Sequence, residues 1–95
     1  MKNIEKDIYT VYDRLSKRHD WQGIASRESK KLAEKVIDDQ CAIMLKSKTA
    51  KKYPDYQIGI LKEKFKPFGD SYLPKNTKMD KVLDVNACIK RIQFE

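Results

Sequence analysis

The sequence predicts an all-α fold, a compact bundle of about four helices in one small helical domain over residues 1–95. A short strand near 55–61 is the alternative to its third helix. Three observations lead there. Apolar residues recur at steps of three and four in four separate segments. Most of the three glycines and three prolines fall between those segments, where chain breaks belong. With 95 residues, 40% of them hydrophobic, the chain can supply one small core.

The first helix spans about 4–18. Ile4, Ile8, Val11, Tyr12 and Leu15 share one helical face, with Tyr9 beside them. Asn3 suits the N-cap, and Lys17 and Arg18 suit the negative end of the helix dipole. Residues 19–25 form a connection in which Gly23 permits a turn. Trp21 and Ile24 pin this connection to the core, as a lone Trp in a small domain usually does. A long second helix follows over about 26–50. Ser26 and Ser29 mark its start. Leu32, Ala33, Val36, Ile37, Gln40, Cys41, Met44 and Leu45 then repeat the three/four spacing. Asp38-Asp39 interrupts the apolar face and is where this helix would break.

Pro54 closes the second helix, because the residue before a proline is pushed out of the helical region. The third helix covers 55–66, with Ile58, Leu61, Phe65 and Phe68 at steps of three, four and three. The competing pattern is Tyr56, Ile58 and Ile60, which alternate as in a strand, and Gly59 weakens both readings. Pro67, Gly69 and Pro74 make 67–76 a loop. The last helix covers 77–93. Thr77 and Asp80 stand at its start, Val82, Val85, Ile89 and Ile92 form its apolar face, and Lys90 and Arg91 close it.

The chain carries 21 Lys and Arg against 14 Asp and Glu, a net charge of +7. The excess concentrates in 46–66, where Lys46, Lys48, Lys51, Lys52, Lys62, Lys64 and Lys66 face only Asp55 and Glu63. Tyr53 and Tyr56 lie inside that window. Lysines neutralise phosphates and release condensed counterions, and aromatic rings stack on unpaired bases. An ammonium meets phosphate as a point charge, whereas the scarcer Arg reads base edges with a planar fork. The window predicts contact with a nucleic-acid backbone or an acidic protein surface, with little sequence specificity. The competing reading is a solvated lysine face whose aromatics point into the core.

Other constellations are weaker. Cys41 and Cys88 stand alone, without the paired spacing of a zinc or redox motif, and read as two reduced buried thiols. A bridge between the second and fourth helices is the alternative. His19 is the only histidine. With Asp20 and Ser16 it forms a local trio, lacking the oxyanion hole and convergent geometry of a nucleophilic site. Asp80 and Asp84 share a helix face and read as partners of Lys78 or Lys81. No glycine-rich phosphate loop is present, and no cofactor or metal is expected. Residues 82–92 lack the glycine of a helix-turn-helix turn, Asp84 standing in its place, and no family is assigned.

No apolar run is long enough to cross a membrane, and the charged start is unlike an export signal. The expectation is a cytoplasmic, non-enzymatic binding module. Its lysine face would contact nucleic acid or a nucleic-acid-handling protein. The alternative is a small protein–protein interaction module of inhibitor or immunity type, from a phage or mobile element, with homo-oligomerisation open.

Overall fold

The first apolar run forms a strand rather than a helix. The computed structural model describes residues 7–64 and 72–93. In chain order these form β1 (Asp7–Arg14), β2 (Trp21–Arg27), α1 (Lys30–Lys46), α2 (Thr49–Lys52), β3 (Gln57–Lys64), β4 (Tyr72–Leu73), β5 (Lys81–Asp84) and α3 (Val85–Gln93). The expected all-α bundle is overturned. The frame is a five-stranded antiparallel sheet in the order β4-β2-β1-β3-β5. Strands β2 and β3 flank β1 and both run antiparallel to it, so they are parallel to each other. Helix α1 joins them, making a split β-α-β unit with β1 in the slot.

That central position explains why 4–18 is not a helix. Ile8, Tyr9, Thr10, Val11 and Tyr12 are all β-branched or aromatic, which favours an extended backbone. Tyr9 and Val11 turn toward the helices, while Thr10 and Tyr12 turn the other way. Thr10, Val11 and Tyr12 are all buried. A strand covered on both faces reads as a nearly continuous apolar run, which three/four spacing also fits. Residues 4–6 lie outside the described residues. The connection expected at 19–25 is largely β2. Trp21 does anchor it, at 1% exposure, and Ile24 is an extra residue where the register with β1 shifts.

Helix α1 starts on the serine cap the sequence marks. The Leu32 N–H donates to Ser29 Oγ at 3.2 Å. It starts later than 26 because Ser26 and Arg27 belong to β2, and it runs unbroken through Asp38-Asp39. Helix α2 is a separate short turn after Lys48, whose φ is 63°. The third helix expected over 55–66 is instead β3, the strand alternative. Ile58 and Ile60 point into the core, and Gly59 has no room for a Cβ, which would run into the Lys81 carbonyl oxygen. Only the second half of 77–93 is helical, since 81–84 pairs with β3 as β5. The residue that caps α3 is Asp84, whose Oδ1 accepts from the Ala87 N–H at 2.8 Å, not Thr77 or Asp80. Of the loop expected at 67–76, Tyr72–Leu73 forms β4, and 67–71 lies outside the described residues.

The core lies between the sheet and the helices. Val11, Ile58, Ile60 and Leu83 meet Ala33, Ile37, Cys41 and Met44 of α1 and Cys88 of α3. Cys41 and Cys88 are joined by a disulfide with a Cα–Cα separation of 5.3 Å, which replaces the reading of two reduced thiols. Arg91 of α3 also pairs with Asp38 of α1.

The opposite face of the sheet has its own cover. Residues 74–80 lead from β4 at one edge to β5 at the other, so they must cross the strands between. Arg14 Nη1 donates to the Lys75 carbonyl at 2.6 Å, and Met79 Cε lies over Gly59. This strap closes over the Trp21 side of the sheet, where the Arg14 guanidinium sits 4.1 Å from the Trp21 ring centroid. Arg14 Nε and Nη2 both donate to Gln57 Oε1, at 2.9 and 2.7 Å.

Candidate functional site

The lysines of 46–66 do not form one face. The structure divides them between the two ends of β3. Lys46, Lys48, Lys51 and Lys52 cluster where α1 ends and α2 turns, just before the strand. Lys62 and Lys64 sit near its far end, and Lys66 lies outside the described residues. At about 3.3 Å per residue the strand places these groups roughly 20 Å apart.

The first group is an exposed lysine turn. All four side chains face solvent, and none makes an ion pair among the described residues. The local sequence builds the turn. The Ser47 N–H donates to the Ile43 carbonyl at 2.9 Å, ending α1. The Lys51 N–H donates back to the Lys48 carbonyl at 3.1 Å, starting the next turn. Lys48 joins the two in the left-handed region, which a side chain with a Cβ adopts only at a cost. Cations also suit both helix C-termini, so part of this charge serves the helices themselves.

The tyrosines divide as well. Tyr53 is half-buried against the core, with Lys52 Nζ 5.6 Å from its ring centroid. Tyr56 is 4% exposed and donates its hydroxyl to Asp13 Oδ2 at 2.8 Å, so it offers no face for stacking. Burial pushes the Asp13 carboxyl above the usual carboxylate range, only partly offset by that hydrogen bond. Burial first, then the neighbouring Asp13, raises the Tyr56 phenol in turn.

Lys62 of the second group lines a cleft on the helix side of the sheet. Its volume is about 240 Å³, and Tyr9, Lys30, Ile60, Lys62, Asp80 and Lys81 line it. Strands β1, β3 and β5 and the first turn of α1 contribute, together with Asp80 at the end of the strap. Lys62 pairs with Asp7 at 3.3 Å, Lys64 with the same carboxylate at 2.9 Å, and Lys81 with Glu34 at 2.9 Å. The Lys64 and Lys62 ammoniums hold Asp7 below the usual carboxylate range, and Lys81 does the same to Glu34. Lys30 makes no ion pair among the described residues. Lys30 and Lys81 escape the charge-window argument because they lie far from 46–66 in the chain, and only the sheet order brings them to Lys62.

The remaining candidates are accounted for structurally. Ser16 Oγ meets His19 Nδ1 at 2.8 Å, while Asp20 Oδ1 accepts from the Lys75 N–H at 3.0 Å. Asp20 thus helps anchor the strap. Asp80 Oδ2 accepts from the Lys62 N–H at 2.6 Å, and Asp84 caps α3. On the strap side, Glu63 accepts from Tyr12 Oη at 2.9 Å and from Thr10 Oγ1 at 3.1 Å. Because Thr10 spends its proton on Glu63, Ser26 Oγ must donate to Thr10 across their 3.0 Å contact. Among the described residues no group of three His, Cys, Asp or Glu is placed to hold a metal ion. No helix among them is long and apolar enough to cross a membrane.

No family model matches the chain, and neither a curated protein nor a solved structure matches it.

Proposed function

We propose that the protein is a non-enzymatic binding module that contacts the phosphate backbone of nucleic acid through its lysine turn. One observation carries the reading. Lys46, Lys48, Lys51 and Lys52 project from seven consecutive residues with no carboxylate paired to them among the described residues, while Lys62, Lys64 and Lys81 are paired. Unpaired, exposed ammoniums have no ion pair to give up when they meet phosphate. Tyr53 frames the turn through its contact with Lys52, and Tyr56 supports it from within the core. A cytoplasmic setting accords with a nucleic-acid target, with the buried Cys41–Cys88 bond an exception to the reduced thiols usual in that compartment.

The test is a salt series with duplex DNA and with single-stranded RNA. Four phosphate contacts give a slope of log K against log salt of about −3.6 on duplex DNA. Changing all four lysines to Gln should remove most of that slope. Unchanged salt dependence in the variant, or no binding at low ionic strength, would reject the reading.

The protein–protein reading keeps one observation of its own. Leu32 is 49% and Ile43 56% exposed, and they lie eleven residues apart on one face of α1. A mass that stays monomeric by light scattering at high concentration would count against self-association through that face.

A further inference from the structure

We propose that the cleft between α1 and the sheet is a binding site for one ribonucleotide unit, either free or as part of a strand. Lys30, Lys62 and Lys81 would take the phosphate, Tyr9 the base and Asp80 the sugar hydroxyls. This site is separate from the lysine turn. Lys30 and Lys46 stand at opposite ends of α1, roughly 24 Å apart along the helix axis.

The assignment rests on how the cleft is assembled. Three lysines from three different elements line it, so their neighbourhood is set by tertiary structure rather than by a local lysine run. Asp7 and Glu34 hold Lys62 and Lys81 through one contact each. An ammonium has three donors, so both lysines keep hydrogen-bonding capacity for a phosphate. Lys30 makes no ion pair among the described residues and adds a third positive charge, set against the Asp80 carboxylate that also lines the cleft.

The other lining residues narrow the ligand. Tyr9 is half-buried, lies beside Lys62 in the β1–β3 register, and presents a ring on which a base can stack. Asp80 has one oxygen engaged by the Lys62 N–H, and its other oxygen accepts no hydrogen bond among the described residues. That oxygen can accept from a sugar hydroxyl and would repel a second phosphate placed beside it. A cleft of about 240 Å³ falls below the roughly 300–1,000 Å³ of pockets that enclose drug-sized ligands, so one nucleotide unit fits better than a dinucleotide.

Titrations followed by amide NMR shifts or calorimetry would test this on the intact chain. The probes are adenosine monophosphate, its 2′-deoxy counterpart, inorganic phosphate and a short single-stranded RNA. Saturable binding of the ribonucleotide or the RNA is expected, weakening several-fold without the 2′ hydroxyl and at least ten-fold for inorganic phosphate. Tighter binding of RNA than of the free nucleotide identifies a strand as the source, and the reverse order identifies the free nucleotide. Lys30→Glu should lower affinity at least ten-fold. An acidic residue suits the first turn of a helix, so this variant keeps the fold. Lys81→Gln should show a loss in the same direction. The four-lysine Gln variant of the turn should leave binding of the free nucleotide unchanged, which separates the two sites. Insensitivity to both Lys30→Glu and Lys81→Gln, or equal affinity for inorganic phosphate and the nucleotide, would overturn the proposal.

Discussion

Opening the Cys41–Cys88 bond should cost the fold about 4 kcal/mol. The bond closes a loop of 47 residues of sequence separation, and chain entropy alone gives about 4 kcal/mol for a loop of that length. Typical stabilities of about 0.05–0.15 kcal/mol per residue put a 95-residue chain at roughly 5–14 kcal/mol, so the bond carries a large share. Helix α3 would be affected most. Its nine residues are too few to hold a helix alone, and its other ties are the Arg91–Asp38 pair and the packing of Val85, Ala87 and Ile92. Both sulfurs are buried, so reduction should be carried out in denaturant before refolding. Urea unfolding, followed by the single Trp21 and by far-UV circular dichroism, would then compare oxidised and reduced protein. With a slope of about 1–3 kcal/mol per molar urea, the midpoint should fall by roughly 1.3–4 M. The double variant Cys41→Ala/Cys88→Ala should show no response to reductant. If reduction of the unaltered chain moves the midpoint by less than about 0.3 M, the loop-entropy argument is wrong for this fold.

Three further substitutions test other parts of the structure. The raised Asp13 carboxyl favours its protonated form in the fold, so its contribution is fully present below the ordinary carboxylate value of about 3.9 and is lost as pH rises through the folded value. Asp13→Asn still accepts from Tyr56, and its stability relative to the unaltered chain should rise between about pH 4 and pH 7; a difference that falls over this range rejects the assignment. Lys48→Gly relieves the left-handed backbone and should stabilise by roughly 1 kcal/mol, raising the melting temperature by about 4–8 °C. A lower melting temperature would show that no strain is held there. Gly59→Ala drives a Cβ into the Lys81 backbone and should destabilise by about 1–3 kcal/mol, measurable by the same melts; a neutral result would mean that β5 yields freely.

Local signals were legible where one face of an element decides its pattern. Ser29 marked the start of α1, and Ala33, Ile37, Cys41 and Met44 gave the phase of its buried stripe. Trp21 was recognisable as an anchor, though of a strand. The sheet was hidden because β1 is buried on both sides, so Ile8 through Tyr12 satisfies any period. At β3 the alternating Ile58 and Ile60 competed with the Ile58–Leu61–Phe65 spacing. Only the contact with β5 at Gly59 shows why the strand wins. The lysine turn could be seen in the charge count, whereas its division from Lys62 could not, since it depends on how far β3 carries the chain. The cleft was invisible for the same reason. Lys30, Lys62 and Lys81 meet only through the strand order.

The strap of residues 74–80 acts as a chord of nearly fixed length. Four strand spacings of about 4.8 Å separate β4 from β5, roughly 19 Å in all. Eight backbone steps join Leu73 to Lys81, which fully extended reach about 26–29 Å. A turn closed by the Thr77 N–H on the Pro74 carbonyl at 3.0 Å already consumes part of that reach. With a turn's ends no more than about 7 Å apart, the total falls to roughly 24 Å. Little remains for passing over side chains, so removing even two residues from this segment should leave it too short to close. The length of the strap therefore gauges the width of the sheet. Flattening the sheet, or shifting either edge strand outward, has to stretch a connection that has almost nothing left to give.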